Sequence, residues 1–176
     1  MSDLHVKPDD KNRSRRGKWI VGAVVVAMLG VATISVTTNL ARERKKESVT
    51  QDRLEKLDIV SATGMNTFQV EVMKTNEERA KGLMFRQFMP ADRGMLFDFG
   101  RDETITMWMR NTYISLDMVF IKADGKIHRI HERAQPLDET TISSGGEVRY
   151  VLEINGGRAE KLGLKAGDVV KHPLIK

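Results

Sequence analysis

The sequence predicts a mainly β domain, a small sandwich or partly open barrel with two short helices, preceded by one N-terminal transmembrane helix. Three observations predict this. Beyond residue 58 apolar residues alternate with period two in short runs. Only two segments there carry helix-capping signals. Before them, Trp19 to Ala41 form an uninterrupted stretch of 23 residues without a formal charge.

The chain begins with a basic tail, residues 1–18, in which Lys11, Arg13, Arg15, Arg16 and Lys18 crowd the end. Residues 19–41 follow, with the apolar heart WIVGAVVVAMLGVATISV. About 20 such residues in a helix span the ~30 Å hydrocarbon core, and every backbone amide then pairs within the helix. The run is longer than a secretory h-region and ISVTTNLA offers no small-x-small exit, so it reads as an anchor. Cleavage there, giving a secreted domain, is the alternative. Arg15-Arg16 lacks the hydrophobic residues that follow a twin-arginine signal. The basic flank favours a cytoplasmic N-terminus, although ARERKK beyond the helix is basic as well. The predicted address is thus the inner membrane, single-pass, with the C-terminal domain in the periplasm.

Residues 42–57, RERKKESVTQDRLEKL, are a charged stalk. Residues 58–176 form the extracytoplasmic domain. The chain's net charge of +5 is unevenly spread: residues 1–57 hold 12 Lys/Arg and 7 Asp/Glu, whereas residues 58–176 hold 17 of each. A neutral domain lacks the footprint of a phosphate-backbone binder, and no nucleic-acid partner is expected. With no cysteine, disulfides, thiol catalysis and cysteine-built zinc sites are excluded.

Within the domain, FQVEV sets Phe68, Val70 and Val72 on one face, and MLFDF does the same with Met95, Phe97 and Phe99. ITMWMR sets Ile105, Met107 and Met109 against Thr106, Trp108 and Arg110. DMVFIKADGKIHRI predicts a hairpin turning at Asp124-Gly125, a type I′ signature. VRYVLEI directs Val148, Tyr150, Leu152 and Ile154 inward. Thr75 with Glu78 is a capping box for NEERAKG, ended by Gly82. Asn155 is placed to cap GGRAEKL, closed by Gly163.

Taken in order, ERAKGLMFR (78–86), GMLFDF (94–99), MWMRNTYISLDMVFI (107–121), YVLEINGG (150–157) and LGLKAGDVV (162–170) resemble the domain of unknown function 192 family over roughly residues 66–171. The resemblance implies a mainly β fold behind a signal or anchor segment and brings no activity. Ser115 departs from it, since relatives commonly have proline before the Leu-Asp pair.

The densest polar-aromatic cluster is Trp108, Arg110, Asn111, Thr112 and Asp117, with Arg86 able to join it after the first helix. Indole, guanidinium, amide and carboxylate around one cleft suit a sugar or other small polar ligand. The competing reading has Asn111 and Asp117 shaping a loop while Trp108 packs. Asp117 and Glu153 are the carboxylates a glycosidase-like pair would need. Glu153 shares a non-core face with Arg149, which instead suggests an exposed ion pair. Arg79 reads as part of a solvated face. ISSGGE lacks the nucleophile-elbow pattern and reads as a loop. The methionines suggest Cu(I) ligation by thioethers or, more simply, core filling. His128 and His131, three apart, face opposite ways in a regular strand.

These features predict a monomeric binding module for a small polar ligand or partner protein, with no catalytic residue, cofactor or metal assigned. Candidate ligand-binding residues are Arg86, Trp108, Arg110, Asn111, Thr112, Asp117 and Glu153. The alternatives are a small carbohydrate-active hydrolase using Asp117 or Glu153, and methionine-based copper handling.

Overall fold

The computed structural model describes residues 54–176. The predicted tail and anchor, and all but the end of the stalk, lie outside the described residues. Among the described residues no helix is long and apolar enough to cross a membrane. The stalk's last residues are not a linker: Leu54–Ser61 form strand β1, and Leu57 is fully buried.

The remaining elements are β2 (Gly64–Met73), α1 (Asn76–Lys81), β3 (Arg93–Met107), β4 (Leu116–Ile121), β5 (Ile127–Ala134), β6 (Ile142–Asn155), α2 (Arg158–Leu162) and β7 (Val169–Lys171). All seven strands belong to one sheet, in the order β5-β4-β6-β3-β2-β1-β7. The sheet curls, so the sandwich alternative is corrected in favour of the open barrel. Its two ends meet where Lys126 bridges Val169. The Ile127 amide there donates to the Asp168 carbonyl (2.9 Å) and the Val170 amide to the Gly125 carbonyl (2.8 Å).

Curling gives the sheet two buried faces. Leu57, Phe68, Val70, Leu96, Val119, Tyr150, Leu152 and Val170, drawn from six strands, fill the inner one. The outer face carries Met95, Phe97, Ile105, Met118, Phe120 and Val151, and packs Leu83, Met89 and Met109 against them. β4 is therefore buried at every position. The two-faced burial explains why alternation beyond residue 58 marks two apolar faces rather than one apolar and one wet.

β2 and β3 are parallel, so the chain between them must cross over, and α1 lies in that crossover. The capping box forms: the Thr75 hydroxyl accepts from the Glu78 amide, and the Glu78 carboxylate accepts from the Thr75 amide. MLFDF and the start of ITMWMR, expected as separate strands, are one long strand, β3, irregular between Asp98 and Glu103, and Trp108 to Arg110 lie beyond its end. Across that irregularity Val148 joins the outer core, not the inner face with Tyr150. The β4–β5 hairpin turns at the expected place but not with type I′ geometry, because only Gly125 has a positive φ (81°). The Gly125 amide donates to the Lys122 carbonyl (3.0 Å) around Ala123 and Asp124, a type I turn followed by a glycine bulge. ISSGGE lies within β6 and is not a loop: the buried Ser144 hydroxyl accepts from the Ile105 amide and donates to the Gly146 carbonyl.

Candidate functional site

A cavity of about 230 Å³ opens on the outer face between α1, the end of β3 and the segment that follows it. Phe97, Phe99, Met107 and Leu83 make its apolar wall, and Gly82 closes the end of α1 against it. An ideal Cβ on Gly82 would stand 3.3 Å from the Phe97 ring, and the φ of 44° there disfavours a side chain as well. Trp108, Arg110 and Thr112 line the other side. Trp108 is 47% exposed, with the Arg110 guanidinium 5.7 Å from its ring centroid. Thr112 is buried, and its hydroxyl donates to the Arg110 carbonyl (3.2 Å).

Glu153 enters the cavity from β6. It sits in register with Met95 on β3 and Met118 on β4, both fully buried. Only 4% of Glu153 is exposed, and its carboxyl has no hydrogen bond or ion pair among the described residues. Burial pushes its pKa up from 4.5 to about 8, so the acid is protonated at neutral pH. The exposed Arg149–Glu153 pair is thus overturned: Arg149 faces Asp98 (3.6 Å), and Glu153 is inside.

Of the seven residues the sequence nominates, four come together here: Trp108, Arg110, Thr112 and Glu153. Three do not. Arg86 makes a bidentate pair with Glu71 (2.6 and 2.7 Å) and is held away from Trp108. Asn111 takes the left-handed conformation (φ 54°) and its carbonyl accepts from the Phe85 amide (2.8 Å), bracing the turn after β3. Asp117 is fully buried at the start of α2. One of its oxygens accepts from the amides of Arg133 and Gly157 (both 2.8 Å), the other from Ala159 (2.7 Å). It caps the helix from another strand, the task expected of Asn155. The Asn155 amide donates instead to the carbonyls of Met89 and Pro90.

The sequence missed Arg79 and Lys81 as cavity residues. Arg79 donates to the carbonyls of Lys74 and Asp98 and to Asn76, with its guanidinium 5.1 Å from the Phe99 ring centroid. Its position two residues before Lys81 on a six-residue helix gave no sign that the helix borders the same cavity as Trp108.

The methionines divide by burial. Met73, Met89, Met95, Met109 and Met118 are in the outer core, and Met65 stands alone at 63% exposure. β5 is irregular at His128, where Phe120 pairs with Arg129 and Ile121 with Ile127, so strict opposition of His128 and His131 does not hold. Among the described residues no three His, Asp or Glu side chains group as metal ligands do. Ser115, the departure from the family pattern, donates to the Ala134 carbonyl and accepts from the Gly156 amide, shaping the loop before β4.

The model of the DUF192 family, described as "Uncharacterized ACR", matches residues 58–172. A crystal structure of a proposed transcription regulator from Sinorhizobium meliloti 1021 is 43% identical, with a TM-score of 0.66, covering 68% of this chain and 93% of that one. A protein of unknown function from Novosphingobium aromaticivorans DSM 12444 is 40% identical, with a TM-score of 0.66, over 67% of this chain and 84% of its own. A search of curated proteins returned no match.

Proposed function

The chain belongs to the DUF192 family, and from that premise we propose that its β domain is a binding module for a small polar ligand, held outside the cytoplasm by residues 19–41. One observation carries the reading: Glu153 lies unpartnered at a cavity between apolar and aromatic walls. An unpaired carboxyl costs free energy to bury, and folding gains nothing from it in return. Its register neighbours Met95 and Met118 mark a place that a methionine would fill. An acid there is explained by what it meets in the cavity.

The hydrolase alternative needs two convergent carboxylates. Asp117 pairs with Ile154 while Glu153 pairs with Met118, so the two acids stand on opposite faces of the sheet. Asp117 is also occupied by three backbone amides. Copper handling has little support, because the clustered methionines are core residues among phenylalanine and valine. The regulator description of the S. meliloti relative gains no support from charge, residues 58–176 being neutral.

Mapping by NMR with a mixture of sugars, amino acids, organic acids and amines tests the reading. Shifts should concentrate on Gly82, the Trp108 indole, Thr112 and Glu153. Shifts elsewhere, or none, overturn it.

A further inference from the structure

We infer that the cavity takes a small organic anion, a carboxylate or phosphate ester on a planar apolar body. Arg79, Lys81 and Arg110 line it, and none has a carboxylate partner among the described residues. The inference rests on reading the cavity as a ligand site and adds the class of ligand.

Elsewhere on the domain four arginines are matched, Arg86 with Glu71, Arg101 with Glu103, Arg133 with Glu160 and Arg149 with Asp98, whereas Arg129 donates to the Ser143 carbonyl and Arg158 has no carboxylate partner among the described residues. Around the cavity no cation is paired with a carboxylate among the described residues. Three cations line it, and the one acidic residue among its walls is Glu153. Burial keeps that acid in its neutral form, and a neutral carboxyl offers a hydrogen-bond donor where a carboxylate would repel an anion. The ligand is therefore met by three positive groups and an acid O–H. Arg79 is fixed by its bonds to Lys74, Asp98 and Asn76, which leaves Lys81 and Arg110, both exposed, as the cations free to move onto an anion.

The walls specify the rest of the molecule. Phe97, Phe99 and Met107 offer apolar contact, and the Trp108 indole offers a plate that stacks on a planar group. A fully hydroxylated sugar would leave the phenylalanine wall poorly matched. A cation would meet three like charges.

The test uses the full chain in micelles, with a micelle-only blank, and ligand-observed NMR titration of four probes: benzoate, phenyl phosphate, benzamide and glucose. At least one of the two anions should bind ten times more tightly than benzamide or more, and the tighter anion identifies carboxylate or phosphate. Lys81→Gln with Arg110→Gln, both on exposed side chains, should erase that preference, and Trp108→Ala should weaken the bound anion. Benzamide or glucose binding as tightly as the anions, with loss in Trp108→Ala, would keep the ligand site and overturn the anionic class. Anion binding indifferent to all three substitutions would put the anions elsewhere and overturn the inference. Absence of binding by every probe overturns the inference and the ligand-site reading together.

Discussion

Asp117 and Glu153 sit one step apart in register on adjacent strands, yet their carboxyls leave the sheet in opposite directions. Both are buried, and their surroundings divide the labour. Asp117 accepts three backbone N–H groups, which satisfies a carboxylate. Glu153 has none of these and stays an acid. Removing the first should damage the fold, and removing the second should not.

Asp117→Ala should therefore unfold at markedly lower temperature. It leaves the amides of Arg133, Gly157 and Ala159 without their acceptor, each loss costing about 1–3 kcal/mol where the group stays buried. Asp117→Asn keeps one acceptor oxygen and should fall between Ala and wild type. Thermal melts rank the three, and an unperturbed Asp117→Ala would remove the brace.

Glu153 gives the protein a pH signature. The folded chain keeps the Glu153 proton up to a pKa of about 8, whereas the unfolded chain releases it near 4.5. Its contribution to stability is complete below about pH 4.5, declines as pH rises through that window and levels off above 8. The full effect is several kcal/mol, at about 1.4 kcal/mol per unit. Glu153→Gln cannot titrate, so wild type minus variant separates Glu153 from other groups such as His172, whose pKa burial lowers. Denaturant melts between pH 4 and 9 should show the difference shrinking towards alkaline pH in favour of the variant; a constant difference contradicts it.

Asn111 should behave as a backbone position. Its left-handed conformation costs about 1–2 kcal/mol for an alanine and little for a glycine. Asn111→Gly should then melt close to wild type and Asn111→Ala below it. Equal melts would mean that the side chain, not the backbone, sets the preference there.

The address is testable without a ligand. A reporter fused after Lys176 should be active only outside the cytoplasm, with residues 1–41 retained in the mature protein. A soluble form beginning near Asn39 or Ala41 would make the domain secreted.

Much of the fold was legible because strand and turn chemistry act locally. Thr75 with Glu78 marked α1, Asp124-Gly125 marked the hairpin, and Phe68 with Val70 marked a buried face. What stayed hidden depends on partners distant in sequence. Asn155 has the right chemistry and spacing to cap α2, but Asp117, 42 positions before Ala159, arrives from the neighbouring strand and does so instead. Glu153 looked solvated because one apolar face seemed enough for β6; a sheet curled and covered outside has two. The site was half visible for the same reason. Trp108, Arg110 and Thr112 are close in sequence, whereas Arg79 and Lys81 reach them only through the β2–β3 crossover.

The first described strand pairs with the last: Asp58 stands opposite Lys171. A chain made from its N-terminus has to produce roughly 110 further residues after Asp58 before that pair can form. At about 5–20 residues per second, this takes about 5–20 s. Throughout that interval Leu57, Ile59, Phe68 and Val70 lack the cover Val170 will bring. Until its last residues arrive, the nascent domain leaves that apolar surface without the cover of β7.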